Sequence, residues 1–98
     1  MRIKLKYILK AVSEIYNIPL AELKSHDRHA ILVRPRKIFY RAGTEAGHTP
    51  STVARYLDRD HTTILHGVKT AKCTPEDILA IIETAKERQD FELNYFRS

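Results

Sequence analysis

Helix start and stop signals punctuate this 98-residue chain so closely that only short helices fit between most of them. Asn17 is followed by Pro19, Gly47 by Thr49-Pro50, Asp58-Arg59 by Asp60, and Thr74-Pro75 by Glu76-Asp77. Thr and Asp accept hydrogen bonds from the orphan N–H groups of a first turn, and Pro fits the first helical position, where its missing N–H costs nothing. Between these marks apolar residues recur every three or four positions, the mark of one-sided helices, and no stretch alternates as a strand would. Short helices of this kind must bury their faces against one another. The expected fold class is therefore all-α, a helical bundle of about six helices in one domain over residues 1–98.

Ile8, Leu9, Val12, Ile15 and Tyr16 predict a first helix over about residues 4–17, with Lys6 and Lys10 outside. Pro19 opens a second helix through Leu20 and Leu23 that ends near Ser25. Residues 25–32 lack periodicity and Pro35 restricts Arg34 to extended geometry, so a third helix is expected from near Pro35 to about Ala46. Thr49-Pro50 opens a fourth with Val53, Ala54 and Leu57 inward, and Asp60 caps a fifth, His61 to about Cys73, whose inner face reads as Ile64, Leu65 and Val68. The tight turn between the last two gives a helix-turn-helix outline. A sixth helix from Pro75 to about Asp90 carries Ile78, Leu79, Ile81, Ile82 and Ala85 on its apolar face.

The net charge of +5 is unevenly spread. Residues 1–73 carry 14 basic and 6 acidic side chains, a balance of +8, whereas residues 74–98 carry 3 and 6, a balance of −3. The first three quarters thus present the positive field that draws polyanions. Uninterrupted apolar stretches such as Ala30 to Val33 fall far short of the roughly 20 residues of a bilayer span, so no membrane association is expected. The opening Met-Arg-Ile-Lys-Leu-Lys-Tyr lacks the apolar run of a secretory signal, and the single Cys73 fits a reducing cytoplasm.

Chemistry other than binding finds little support. His61 and His66 stand five apart, about 140° from sharing a helix face, and no Cys or carboxylate completes a ligand set, so no metal is expected. No Gly-rich phosphate loop occurs, which removes the usual signal for ATP, and no nucleophile has an evident partner. Neither an enzyme nor a cofactor is expected. The informative segment is Arg59-Asp60-His61-Thr62-Thr63, at the front of the fifth helix. In helix-turn-helix proteins the N-terminal residues of the second helix meet base edges in the major groove, where short hydrogen-bonding side chains approach closely. A Thr offers a hydroxyl to a base or phosphate and a methyl to thymine; Asp60 serves either as the N-cap or as an acceptor for a cytosine amino group.

Arg59-Asp60-His61-Thr62-Thr63-Ile64-Leu65-His66 closely resembles the R-D-H-T-T-V-L-H signature in the DNA-binding C-terminal domain of the bacterial replication initiator DnaA. Val33-Arg34-Pro35-Arg36-Lys37 is similar to that family's V-R-P-R-Q, and Ile8 through Ser25 to its opening helix pair. The resemblance covers about residues 8–72, in the family's order, and leaves residues 74–98 as an extra helix and tail. It implies a Trp-repressor-like helical fold that binds a short asymmetric duplex, the DnaA box. By position it assigns Asp60, His61 and Thr62 to the major groove, Arg28 to the minor groove, and Arg59, Thr63 and His66 to phosphates, with Arg34, Arg36 and Lys37 near the DNA.

There are departures from the family pattern. Asp58 alone stands where the family has a Gly pair, Asp27 replaces a residue that is usually basic, and a basic residue of the third helix is lost near Gly43. Gly67 replaces Ala at a cost of about 1 kcal/mol in helix propensity. Two functions follow. One is a DNA-binding protein that occupies DnaA-box-like sites as a monomer and regulates replication or transcription without ATPase activity, cytoplasmic and nucleoid-associated or phage-encoded. The other is a protein-binding adaptor that uses the acidic last helix with Phe91, Leu93, Tyr95 and Phe96, the basic half serving only as nonspecific DNA anchorage; residues 75–98 also offer a surface for a dimer.

Overall fold

A computed structural model describes residues 2–95 of the chain. Its elements in order are α1 (Leu5–Tyr16), α2 (Leu20–Lys24), α3 (Ala30–Glu45), α4 (Pro50–Leu57), α5 (His61–Thr70) and α6 (Pro75–Tyr95). All regular structure among the described residues is helical, and no helix there is long and apolar enough to cross a membrane. Phe96 lies outside the described residues.

Three helices end with one backbone device. Asn17, Gly47 and Asp58 take left-handed φ values of 54°, 99° and 55°. The amide after each then reaches back five residues, Ile18 to Ser13 at 3.0 Å, His48 to Gly43 at 3.1 Å and Arg59 to Ala54 at 2.8 Å. This Schellman closure satisfies carbonyls that the helix end would otherwise leave open. The starts obey equally local rules. Thr49 Oγ1 accepts from the Thr52 amide at 3.2 Å, with Pro50 in the first turn. Thr74 and Asp77 exchange reciprocal bonds of 3.0 and 3.2 Å, a capping box for α6.

The start of α3 departs from the sequence expectation. It begins at Ala30, with the His29 ring accepting the Ile31 amide, so Pro35 lies inside the helix. Burial of Leu32 and Pro35 outweighs the local bias against helix before a proline. α5 stops at Thr70, three residues short of Cys73, and Ala71 turns extended.

The core joins Ile8, Leu9 and Val12 of α1 to Leu23, Ile38, Phe39, Val53, Leu57, Ile64, Ile81 and Ala85, with Phe39 at its centre near the rings of Tyr40 and Tyr56. α6 packs along α1 and touches α3. Ile78, Ile81 and Ala85 point inward, whereas Leu79, expected on that face, is exposed. The helix runs to Tyr95 instead of Asp90 because its last turns are docked. Gln89, buried, accepts from the Lys4 amide at 2.8 Å and donates to the Arg2 carbonyl at 3.4 Å. Tyr7 donates to Glu92, Lys10 reaches Glu92 at 3.3 Å, and Arg88 pairs with Glu14 at 2.7 Å.

Candidate nucleic-acid interface

The front of α5 is built by its cap. Asp60 Oδ1 accepts from the Thr62 amide at 3.3 Å and from the Thr62 hydroxyl at 2.9 Å. These bonds hold the Asp60 carboxyl below its ordinary pKa, with His61 Nδ1 a further 3.7 Å neighbour. Capping is thus the geometry Asp60 adopts. His61, Thr62 and Thr63 stand exposed on the first turn, while Ile64 behind them is fully buried and anchors the helix.

Leu65, expected on the inner face, is 48% exposed. The residue that turns inward is Gly67, because α5 lies so close to α3 that a Cβ there would sit 2.6 Å from Tyr40 Cδ2. Gly67 is therefore a packing requirement of this pair of helices, beyond the propensity loss that its composition alone implies. Gly43 is likewise buried, with room for a Cβ limited by Leu5 and Val53 at 3.1 and 3.2 Å. That position faces the core.

Between the α2–α3 loop, α3 and α5 lies an open groove of about 490 Å³. Arg28, Arg36, Lys37, Arg59, Thr63 and His66 line it with His26, Val33, Tyr40 and Gly67. Six of the ten residues singled out from sequence thus surround one groove, and Asp60, His61 and Thr62 occupy the adjoining first turn of α5. Arg34 stands apart, on a neighbouring groove with Lys37, Thr70 and Lys72. It donates to the Lys72 carbonyl at 3.4 Å and lies 3.9 Å from Asp77. Arg28 and Lys37 have no ion-pair partner among the described residues.

Arg36 and Arg59 are held differently. Arg36 is 7% exposed, and its guanidinium donates to the carbonyls of Leu23 at 3.1 Å, Glu22 at 2.9 Å, Ser25 at 2.7 Å and Asp27. Burial, and then the Arg59 charge, lower its pKa from the ordinary arginine value. Arg59 donates to the Leu57 carbonyl at 2.7 Å and to the Ser25 carbonyl, and meets the His26 ring at 3.2 Å. Asp27 shapes the same loop, its carboxylate accepting the His29 amide at 3.0 Å.

Sequence reasoning missed His26, Tyr40 and Lys72 as members of this surface. Only their proximity in the fold brings them in, apart from the basic charge of Lys72 close behind the fifth helix.

Comparison with known proteins bears on what such a surface does. The model of the bacterial DnaA protein helix-turn-helix family matches residues 5–71. The chain is 40% identical over 70 residues to the chromosomal replication initiator protein DnaA of Xanthobacter autotrophicus, an alignment covering 69% of this chain and 14% of that protein. The DnaA proteins of Rhodopseudomonas palustris and Nitrobacter winogradskyi show the same identity, with 69% of this chain and 15% of each relative covered. The chain thus spans about one seventh of the length of these relatives. No solved structure matches it.

Proposed function

Since this chain belongs to the bacterial DnaA helix-turn-helix family, we propose that it binds double-stranded DNA at short asymmetric sites resembling the DnaA box. His61 and Thr62 read base edges in the major groove, with Asp60 holding the helix start. Arg28 enters the minor groove. Lys37, Arg59, Thr63 and His66 meet phosphates, with Arg34 extending the basic surface beyond them. Arg36 serves from beneath. The single observation that carries this reading is the convergence of Arg28, Arg36, Lys37, Arg59, Thr63 and His66 on one groove beside an exposed helix N-terminus bearing His61 and Thr62. Phosphate contacts supply affinity and base contacts supply specificity, and both kinds of group are present on one face.

The protein acts by occupying such sites, as a regulator of replication or transcription, with no ATP hydrolysis of its own. It binds as a monomer, because an asymmetric site offers no second half-site. A labelled DnaA-box duplex should be retained in a shift assay against excess random duplex, at one protein per site. Equal competition by random DNA overturns the specificity, and a stable dimer protecting inverted half-sites about one helical turn apart overturns the monomer.

A second reading has one observation in its favour. Phe91 and Tyr95 stack at 5.8 Å on the outer side of α6, 64% and 66% exposed, among acidic residues. Aromatic rings of this kind are enriched in interface cores, so an adaptor role would use this end of the molecule.

A further inference from the structure

The α2–α3 loop that carries Arg28 has no regular structure of its own over residues 26–29, and every residue of that stretch is exposed. A side chain on such a loop can deliver base preference only if the loop has one position. Two buried or half-buried guanidinium groups supply it. Arg36, from α3, collects the carbonyls of Glu22, Leu23, Ser25 and Asp27, which are the open end of α2 and the first half of the loop. Arg59, from the turn of the helix-turn-helix, reaches the same Ser25 carbonyl and ties it to the Leu57 carbonyl of α4. One carbonyl oxygen is therefore shared by two cations that arise from different elements. No carboxylate lies within ion-pair distance of either among the described residues.

We propose that Arg36 and Arg59 are positioning residues that clamp the Ser25 carbonyl and so fix the register of Arg28 relative to the recognition helix α5. The clamp sets the distance between the base pairs read by Arg28 and those read by His61 and Thr62, and with it the length of the site. This rests on the reading of Arg28 as the minor-groove contact. The guanidinium shape is essential, because a five-donor fork can span four carbonyls where a lysine ammonium on a single stem cannot. A carboxylate in place of a carbonyl would hold the arginines as firmly but would cancel the positive charge from which the groove draws its field.

The test uses the full chain with Arg36→Lys, Arg36→Met and, as comparator, Arg28→Ala. Amide hydrogen exchange of the free protein is read residue by residue, and binding sites are selected from random duplexes. Both Arg36 variants should exchange about tenfold faster or more across residues 25–29, with the amides of α1 and α3 unchanged. Both should lose about fivefold or more of the A·T preference at the Arg28 end of the site, and keep the preference at base pairs read by α5. Loop exchange unchanged, retention of the A·T preference by Arg36→Lys, or an even loss at every base pair would each overturn the clamp. If Arg28→Ala itself leaves the A·T preference intact, the minor-groove reading fails, and loop exchange alone then decides the clamp. Should both Arg36 variants unfold, Arg59→Lys releases the Ser25 and Leu57 carbonyls, and the same exchange across residues 25–29 decides the outcome.

Discussion

Where α6 meets α1, basic side chains find carboxylates, Lys10 with Glu92 and Arg88 with Glu14. Where the α2–α3 loop meets α3 and the turn before α5, Arg36 and Arg59 find carbonyl oxygens. The two arrangements hold side chains comparably well but differ in what they leave behind. An ion pair ends nearly neutral, so the α1–α6 seam adds little to the long-range field. A guanidinium resting on carbonyls keeps its full charge at any physiological pH, since arginine is not deprotonated in proteins. The α1–α6 seam is stitched by charges that cancel, the α2–α3 loop by two arginine charges that survive. With Arg28 and Lys37 on the same groove, the uncancelled charges of Arg36 and Arg59 add to its positive field.

If the two seams serve different ends, stability and DNA binding should respond to different substitutions. Ile81→Ala empties a fully buried position on α6 and should cost about 2–5 kcal/mol in denaturant unfolding. DNA affinity per folded molecule should stay unchanged; a matching loss of specificity would show that α6 shapes the binding face. His61→Ala or Thr62→Ala should do the converse. Each weakens specific binding by about 1–3 kcal/mol and leaves binding to random DNA nearly intact, with no change in thermal midpoint beyond that of a surface substitution. Equal losses on both DNAs would remove base reading from these residues.

Gly67→Ala tests how closely α5 packs on α3. Propensity favours Ala by about 1 kcal/mol, but overpacking against the Tyr40 ring costs about 1–3 kcal/mol, so a net loss near 1 kcal/mol is expected in an unfolding titration. A gain in stability would mean that the ring yields freely. Asp58→Gly should act in the opposite sense. It relieves a left-handed backbone at φ 55° and should stabilise the fold by about 0.5–1 kcal/mol, the lost pair with His26 being too exposed to matter.

The smallest effect is on acid unfolding, where each half contributes one carboxylate. Hydrogen bonds from Thr62 lower the Asp60 pKa, and the Tyr7 hydroxyl, then Lys10, lower that of Glu92. A carboxyl depressed in the folded state contributes stability that is present above its unfolded pKa and lost as pH falls through the folded one. Asp60→Asn and Glu92→Gln should each flatten the fall in thermal midpoint below about pH 4, where unfolded Asp and Glu titrate. An unaltered acid slope in either variant would show that its bonds open in solution.

Local chemistry was legible in the sequence, and what needed a neighbour was not. Asp60, Thr49 and Thr74-Pro75 cap helices in the structure as their residue types foretold, because a cap involves only residues two or three apart. α3 starts five residues before the point that Pro35 and the unpatterned residues 25–32 predict, because Leu32, Arg36 and Phe39 form one buried face whose packing outweighs the local bias before a proline. The apolar pattern also puts Leu65 on the inner face of α5, where the structure leaves it exposed. Apolar periodicity rewards large residues, whereas the contact with Tyr40 is made by the absence of a side chain at Gly67. The signature Arg59 to His66 marks the turn, the cap and the front of α5, but the use of the Arg59 and Arg36 donors depends on carbonyls that no sequence pattern displays.

Gln89 joins the first described residues to the last helix through bonds that span 85 and 87 positions of sequence. Bringing together residues so far apart in sequence carries a loop-closure entropy that the helices' own short-range contacts do not. The seam between α1 and α6 is therefore expected to close late in folding, after the local contacts of the helix-turn-helix. Removing the Gln89 bonds with Gln89→Ala should then speed unfolding more than it slows folding, and an equal or larger loss of folding rate would place the seam in the folding nucleus.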